Sequence, residues 1–365
     1  MRSVPDPSVT GNWRQTMSQS YIYAGVAGYV GRPEAVGKVG VFRRPAAGGE
    51  WANVLPDLET YTVLVHPSDA SLVLAGTQDG VYLSTDQGAT FRRAGFPDPG
   101  MQVWCFEVDK RNPDRILAGA SPINVYRSDD RGKSWRRMPT PPIKERCKGP
   151  FAHRVMRMVQ HPTRPDEIFA ALEIAGAMRS MNFGETWEDC SDHLVALAEL
   201  PHLKSKIVTE TFAEGMLDGH AITISPADPD AVVLACRMGL FESRDKGRTW
   251  VDKEMKRFSP VTYGRDVKTS PQDPKTMYCA LSVAAASKDG GVYKSTDAGK
   301  TWSRFDKVQV HGTIMSVGLS ATDPRKVVIG ARYEGEVFTT ADGGATWQFS
   351  PIPGPVKDIY AVAAT

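Results

Sequence analysis

The chain has 365 residues, with 44 lysines and arginines against 42 aspartates and glutamates, and this balance leaves no basic footprint for nucleic acid. No apolar run is long enough to cross a bilayer and residues 1–6 hold no apolar signal core, so the expected setting is cytoplasmic, with neither a nucleic-acid nor a membrane partner. Five cysteines, Cys105, Cys147, Cys190, Cys236 and Cys279, show no C-x-x-C spacing, which suggests neither a disulfide framework nor a thiolate zinc site.

In chain order, residues 21–27, 38–43 and 50–51 supply three strands with no innermost strand before them. Six further units follow. Each starts with an apolar alternating strand that runs into a proline turn: His66-Pro67, Asn112-Pro113, His161-Pro162, Asp228-Pro229, Asp273-Pro274 and Asp323-Pro324. A second strand such as 231–236 comes next, and a third leads into an eight-residue mark of the form S/T-x-D-x-G-x-T/S-W. The marks lie at 84–91, 128–135, 180–187, 243–250, 295–302 and 340–347. Asp can accept from turn amides, Gly can take a positive φ, and Trp opens the returning strand. The third mark carries Asn182 in place of Asp, and the first ends in Phe91. Residues 357–363 then supply the missing innermost strand.

The repeated mark resembles the Asp-box, or bacterial neuraminidase repeat, of β-propellers that include sialidases, sortilin-type receptors and a photosystem assembly factor. The expected fold is therefore all-β: one seven-bladed β-propeller over residues 1–365, with four-stranded antiparallel blades closed by the C-terminal strand in the first blade. Over most of its length the chain looks like the bacterial and archaeal Asp-box propellers that carry a glycosyl hydrolase label, through segments such as 171–176 and Asp218-Gly219-His220. Sialidase residues are not carried over. Phe42-Arg43-Arg44-Pro45 is superficially similar to the sialidase Phe-Arg-Ile-Pro, but it lies on a third strand, away from the axis.

If each inner strand runs from top to bottom, the proline turns and Asp-boxes share the bottom face. The long insertions, 27–38, 136–152, 188–219, 251–262 and 284–290, then all fall on top, which makes the top the candidate face. The insertion 188–219 opens with an amphipathic helix after Ser191 or Asp192, ended by Pro201, and is a candidate lid. Gly215, Gly219 and Gly264 would let these loops move.

The top ends of the inner strands carry Glu59, Tyr61, Gln102, Trp104, His153, Arg154, Asp218, His220, Tyr263, Arg265, His311, Thr313, Lys357 and Asp358; second strands add Glu173, Arg237 and Arg332. Arg154, Arg265, Arg237 and Arg332 can clamp an anion. His153, His220 and His311, with Asp218 or Glu173, could instead hold a divalent transition metal. Inter-blade ion pairs would use the same residues with no ligand at all. The reading adopted is a hydrolase or lyase for an anionic, carboxylate-bearing, cyclic small molecule. His220 is its acid or base, Asp218 orients it, Tyr263 answers developing charge, and Glu59, Tyr61, Trp104 and Glu173 line the pocket. The alternatives are a non-catalytic scaffold for a protein partner and a glycosidase using Glu59, Glu173 or Asp218. His66 and His161, each before a proline, are expected to be structural.

Overall fold

A computed structural model describes residues 19–29 and 31–365. They form seven four-stranded antiparallel sheets. The inner strands are Asp358–Ala364, Thr60–His66, Gln102–Val108, Arg154–Gln160, Gly219–Ile224, Tyr263–Thr269 and Ile314–Leu319. Each touches the next in that order, and the last touches the first, so the blades close a ring about a central channel. Closure falls where the alternation placed it: Asp358–Ala364 pairs antiparallel with Tyr21–Ala27 in the first blade. Outer strands of the six box-bearing blades are only two residues long, for example Arg92–Arg93 and Glu188–Asp189. Edges this short and polar offer little for another chain to pair with.

Each Asp-box is a hydrogen-bonded staple. In the first, Ser84 Oγ donates to Asp86 Oδ1 at 2.7 Å and accepts from Gly88 N at 2.8 Å, while Thr90 gives Asp86 both its N–H at 2.9 Å and its hydroxyl at 2.6 Å. Asn182 keeps the pattern: its Oδ1 accepts from Thr186 N and its Nδ2 donates to Thr186 Oγ1, both at 2.9 Å. The turn is more demanding than the motif suggests, because two successive residues take positive φ. Gln87, Arg131, Phe183, Lys246 and Ala298 do so at +53° to +62°, each just before the box glycine. Only the last box puts glycine at both places, Gly343 and Gly344.

Packing between blades makes the core. The cluster between the fourth and fifth blades joins Phe169 and Ala171 to Ile222, Leu234 and Phe241, and it receives Leu194, Leu203, Met216 and Leu217 from the insertion. The first helix there is Asp192–Leu197, shorter than the sequence pattern reads, and Ser191 stands at its N-cap without a side-chain cap bond. Its last short helix, Glu214–Leu217, delivers Asp218 directly to the head of the fifth inner strand. The glycines proposed as hinges serve close packing instead. A Cβ on Gly219 would stand 2.6 Å from the Gly176 carbonyl oxygen and 3.0 Å from that of Leu172; one on Gly264 would stand 3.0 Å from the oxygen of Gly239. Gly215 is equally crowded, against Ser205 Cβ at 2.6 Å.

One feature recurs in all seven inner strands: the pairing register slips by one residue at the same level, a β-bulge. The bulged residues are Tyr360, Tyr61, Trp104, Met156, His220, Arg265 and Met315, and all seven are buried. A bulge turns its side chain out of the sheet alternation, so seven at one height form a layer across the channel. Tyr61, Trp104, Met156, Met315 and Tyr360 pack together as one apolar cluster, while the polar side chains of His220 and Arg265 complete the ring.

Candidate functional site on the top face

In and above the bulged layer, the heads of the fourth, fifth and sixth blades bring seven of the sequence-derived candidates into one network. Glu173, at the top of a second strand, accepts from Arg154 Nη1 at 2.8 Å through Oε2 and from Arg265 Nη1 at 3.4 Å through Oε1. Asp218 Oδ2 accepts from Arg237 Nε at 3.0 Å and faces His220 Nε2 at 3.3 Å. His220 Nδ1 donates to the Gly264 carbonyl at 2.7 Å, which leaves Nε2 between Asp218 and the Tyr263 hydroxyl, also at 3.3 Å. The tautomer follows from that carbonyl, which can only accept.

Electrostatics in this network follow from burial and from three guanidinium groups. Burial alone would push the Asp218 and Glu173 carboxyls up. For Asp218 the opposing charges of His220, Arg237 and Arg265 hold it well below the usual carboxylate range, and for Glu173 those of Arg154 and Arg265 lower it. Burial pushes the Tyr263 hydroxyl up to about 12 against the pull of Arg265, so the phenol keeps its proton at neutral pH. Three arginines surround two carboxylates, and the surplus charge is positive.

Arg154 is held flat. Its guanidinium carbon lies 3.8 Å from the Phe151 ring centre and 4.1 Å from that of Trp104, whose other face stacks on Tyr61 at 4.0 Å and 13°. This four-layer stack fixes the direction of the Arg154 fork. It also occupies both faces of Trp104, so the platform that Trp104 and Tyr61 might have offered a sugar ring is already in use within the protein. Arg332, 2% exposed, sits under the Tyr29 ring at 3.8 Å and gives Nη1 to the Ala285 carbonyl. Tyr29, from the loop after the second strand of the first blade, thus lies over the centre of the ring. Glu59 stands to one side, accepting from the Tyr61 hydroxyl at 3.0 Å and Gly28 N at 3.0 Å, with Lys357 Nζ at 3.4 Å.

The three histidines considered for a metal are not brought together. His153 Nε2 bonds to the Cys147 carbonyl at 2.8 Å, and His311 is paired with Glu336 at 2.7 Å on an exposed rim. Among the described residues, one trio has donor atoms within 4.8 Å of one another: Glu173, Asp218 and His220. That trio does not fit a divalent cation, because both Glu173 oxygens and Asp218 Oδ2 already answer guanidinium groups and the surrounding field is positive. His66 and His161 are structural as read: His66 Nε2 bonds to the Pro113 carbonyl at 2.8 Å, and His161 Nδ1 accepts from Thr163 N at 3.1 Å and Arg164 N at 2.9 Å. His193, in the insertion, accepts from Trp250 N at 3.0 Å.

Sequence reasoning missed Tyr29, Phe151, Met156, Met315 and Tyr360. Counting back from the proline turns obscures them: the bulged residue lies six positions before proline at Tyr61 and Met156, but nine at Trp104, His220, Arg265 and Met315. A further difference concerns open space. A cavity of about 660 Å³ opens at the proline-turn end of the channel, beneath the bulged layer. On the top face a cleft of about 580 Å³ lies off-centre, lined by Arg32, His311, Tyr333 and Asp358.

Fold and repeats together define an Asp-box β-propeller of seven blades. The BNR/Asp-box repeat family model matches residues 293–304, the fifth box and its flanks. Over 240 residues the chain is 24% identical to xyloglucanase Xgh74A of Acetivibrio thermocellus, an alignment that takes in 55% of this chain and 26% of that protein, so the chain spans about a quarter of the length of the curated relatives it matches. Among solved structures, the GH74 xyloglucanase of Xanthomonas campestris superposes with a TM-score of 0.57 at 18% identity, over 80% of this chain and 45% of that one. YCF48 from Cyanidioschyzon merolae gives 0.56 at 15%, over 84% and 90%. At such identities these likenesses speak to the fold.

Proposed function

We propose that the top-face network binds a small anionic molecule through a carboxylate and acts on it as a hydrolase or lyase. One observation carries this reading: three arginines enclose two carboxylates beside a His–Tyr pair, so the site is electrostatically incomplete without another anion. Arg237 and Arg154, the most exposed of the three at 22% and 11% of their side-chain surface, are the groups an incoming carboxylate meets first. Paired fixed donors restrict orientation as well as supply charge. His220 Nε2 then serves as the acid or base, Asp218 stabilises its imidazolium form, and Tyr263 donates to charge that develops on the leaving side.

A glycosidase is the reading that likeness to xyloglucanases invites, and it meets a chemical obstacle. Such an enzyme needs one carboxylic acid that keeps its proton to protonate the leaving oxygen. Glu173 and Asp218 are both held ionised by guanidinium groups. A scaffold for a protein partner would use the rim and tolerate central substitutions. The deciding experiment screens cyclic and acyclic carboxylates for thermal stabilisation and turnover, then repeats the positive cases with Arg237→Ala and His220→Ala. The expected result is that Arg237→Ala raises KM and His220→Ala lowers kcat by about 10²- to 10⁴-fold with the fold retained. Unchanged turnover in both variants would overturn the reading.

A further inference from the structure

Beneath the bulged layer the channel holds a second, separate arrangement. Its cavity of about 660 Å³ is within the range of small-molecule sites and is lined by Leu64, Phe106, Glu107, Arg157, Lys268 and Leu319 among others. Arg157 donates through Nη1 to the carbonyls of Met156 at 2.8 Å and Trp104 at 3.3 Å, and among the described residues it meets no carboxylate. Lys268 has one acidic neighbour, Asp266, whose Oδ2 lies 3.4 Å from Nζ and also accepts from Val317 N at 2.9 Å. Asp266 is 1% exposed and therefore belongs to the wall.

The two cations feel each other. Burial lowers the Lys268 ammonium and the charge of Arg157 adds to that, against the opposing pull of Asp266. Two other acids line this space: Asp69, which faces Arg131 Nη1 at 3.6 Å, and Glu107, which accepts from Gln160 N at 2.9 Å and whose carboxyl burial pushes up to about 7 against the pull of Lys110. Glu107 therefore carries only part of a negative charge at neutral pH and, in its protonated form, can donate a hydrogen bond. Two like charges facing one concave space with apolar walls are complementary to an anion with a carbon body.

We propose that the lower channel is a second ligand site, taking a small organic acid with its carboxylate between Arg157 and Lys268 and its apolar part against Leu64, Phe106 and Leu319. The site is independent of the top-face reading, because the seven bulged side chains separate the two.

Calorimetric titration of the full chain with hexanoate, benzoate, inorganic phosphate and the matching alcohols tests the proposal. At least one carboxylate is expected to bind saturably while its alcohol does not. Arg157→Gln is expected to weaken that binding tenfold or more, and Arg257→Ala, an exposed arginine outside both sites, to leave it unchanged. Lys268→Met is a second, independent removal, and it decides the matter if Arg157→Gln does not fold. The proposal is overturned if neither carboxylate binds, if phosphate binds as tightly as both, or if the lower-channel variants bind as tightly as Arg257→Ala and the unaltered chain.

Discussion

Glu173 holds the centre of the top-face network, since it is the one carboxylate shared by two guanidinium groups, those of Arg154 and Arg265. Removing its charge leaves two buried cations facing each other, and breaking a buried ion pair from one side typically costs more than the pair contributed. Glu173→Gln is therefore expected to lower unfolding stability by about 3 kcal/mol in urea titration. A change below about 1 kcal/mol would show that the arginines find other partners and that the pairing is incidental. The same network shows what the sequence could and could not tell at this scale. Arg154, Asp218, His220, Tyr263 and Arg265 were legible because each heads an inner strand and is ionisable or polar at a place where apolar filling would suffice. Tyr29 was not, because a residue in a twelve-residue loop, 27–38, carries no periodicity that fixes where its ring points.

At the scale of the element, the Asp-box and the bulge are the two devices that repeat. The box was legible through its Asp, Gly and Trp, but its first left-handed residue was hidden because the chain fills that position with Gln87, Arg131, Phe183, Lys246 or Ala298. A non-glycine residue in the left-handed region carries a cost of roughly 1–2 kcal/mol, part of which glycine gives back in unfolded-chain entropy. Ala298→Gly, which removes a single methyl at φ +59°, is expected to raise stability by about 0.5–1 kcal/mol. Thermal unfolding that shows a loss instead would mean that the methyl packs better than the backbone strain costs. The bulge was illegible for another reason. It is a matter of backbone pairing, and its occupants, from Met to Trp to Arg, share no side-chain chemistry.

At the scale of the whole molecule, regular repeats made the architecture readable, and an incomplete first unit pointed to closure by the last strand. Asp358–Ala364 does more than pair with Tyr21–Ala27: Ile359 and Val362 pack with Val328 and Val337 of the seventh blade, and Tyr360 enters the bulged layer. Deleting residues 358–364 is expected to expose a strand edge on the first blade and to yield aggregated protein with a sharply lowered melting temperature. A soluble truncation that melts like the full chain would contradict closure. Function was less readable at this scale because loop length identified a face but not its open space. The long loops gather over a network that the protein's own side chains fill, while a cavity of the channel opens at the short-turn end. Two anion-complementary sites on one axis, divided by the bulged layer, are the arrangement proposed for this molecule.

The central claim, that a carboxylate engages the top-face network beside His220, is tested most directly by nuclear magnetic resonance of the imidazole ring signals during titration with the carboxylate that best stabilises the protein. His220 is one of seven histidines, and His220→Ala assigns its resonances. With Nδ1 fixed on the Gly264 carbonyl, an anion on Arg237 changes the field at Nε2. The account predicts saturable shifts of the His220 ring that disappear in Arg237→Ala. Saturable binding that leaves the His220 signals unmoved, or that moves them equally in Arg237→Ala, would contradict it.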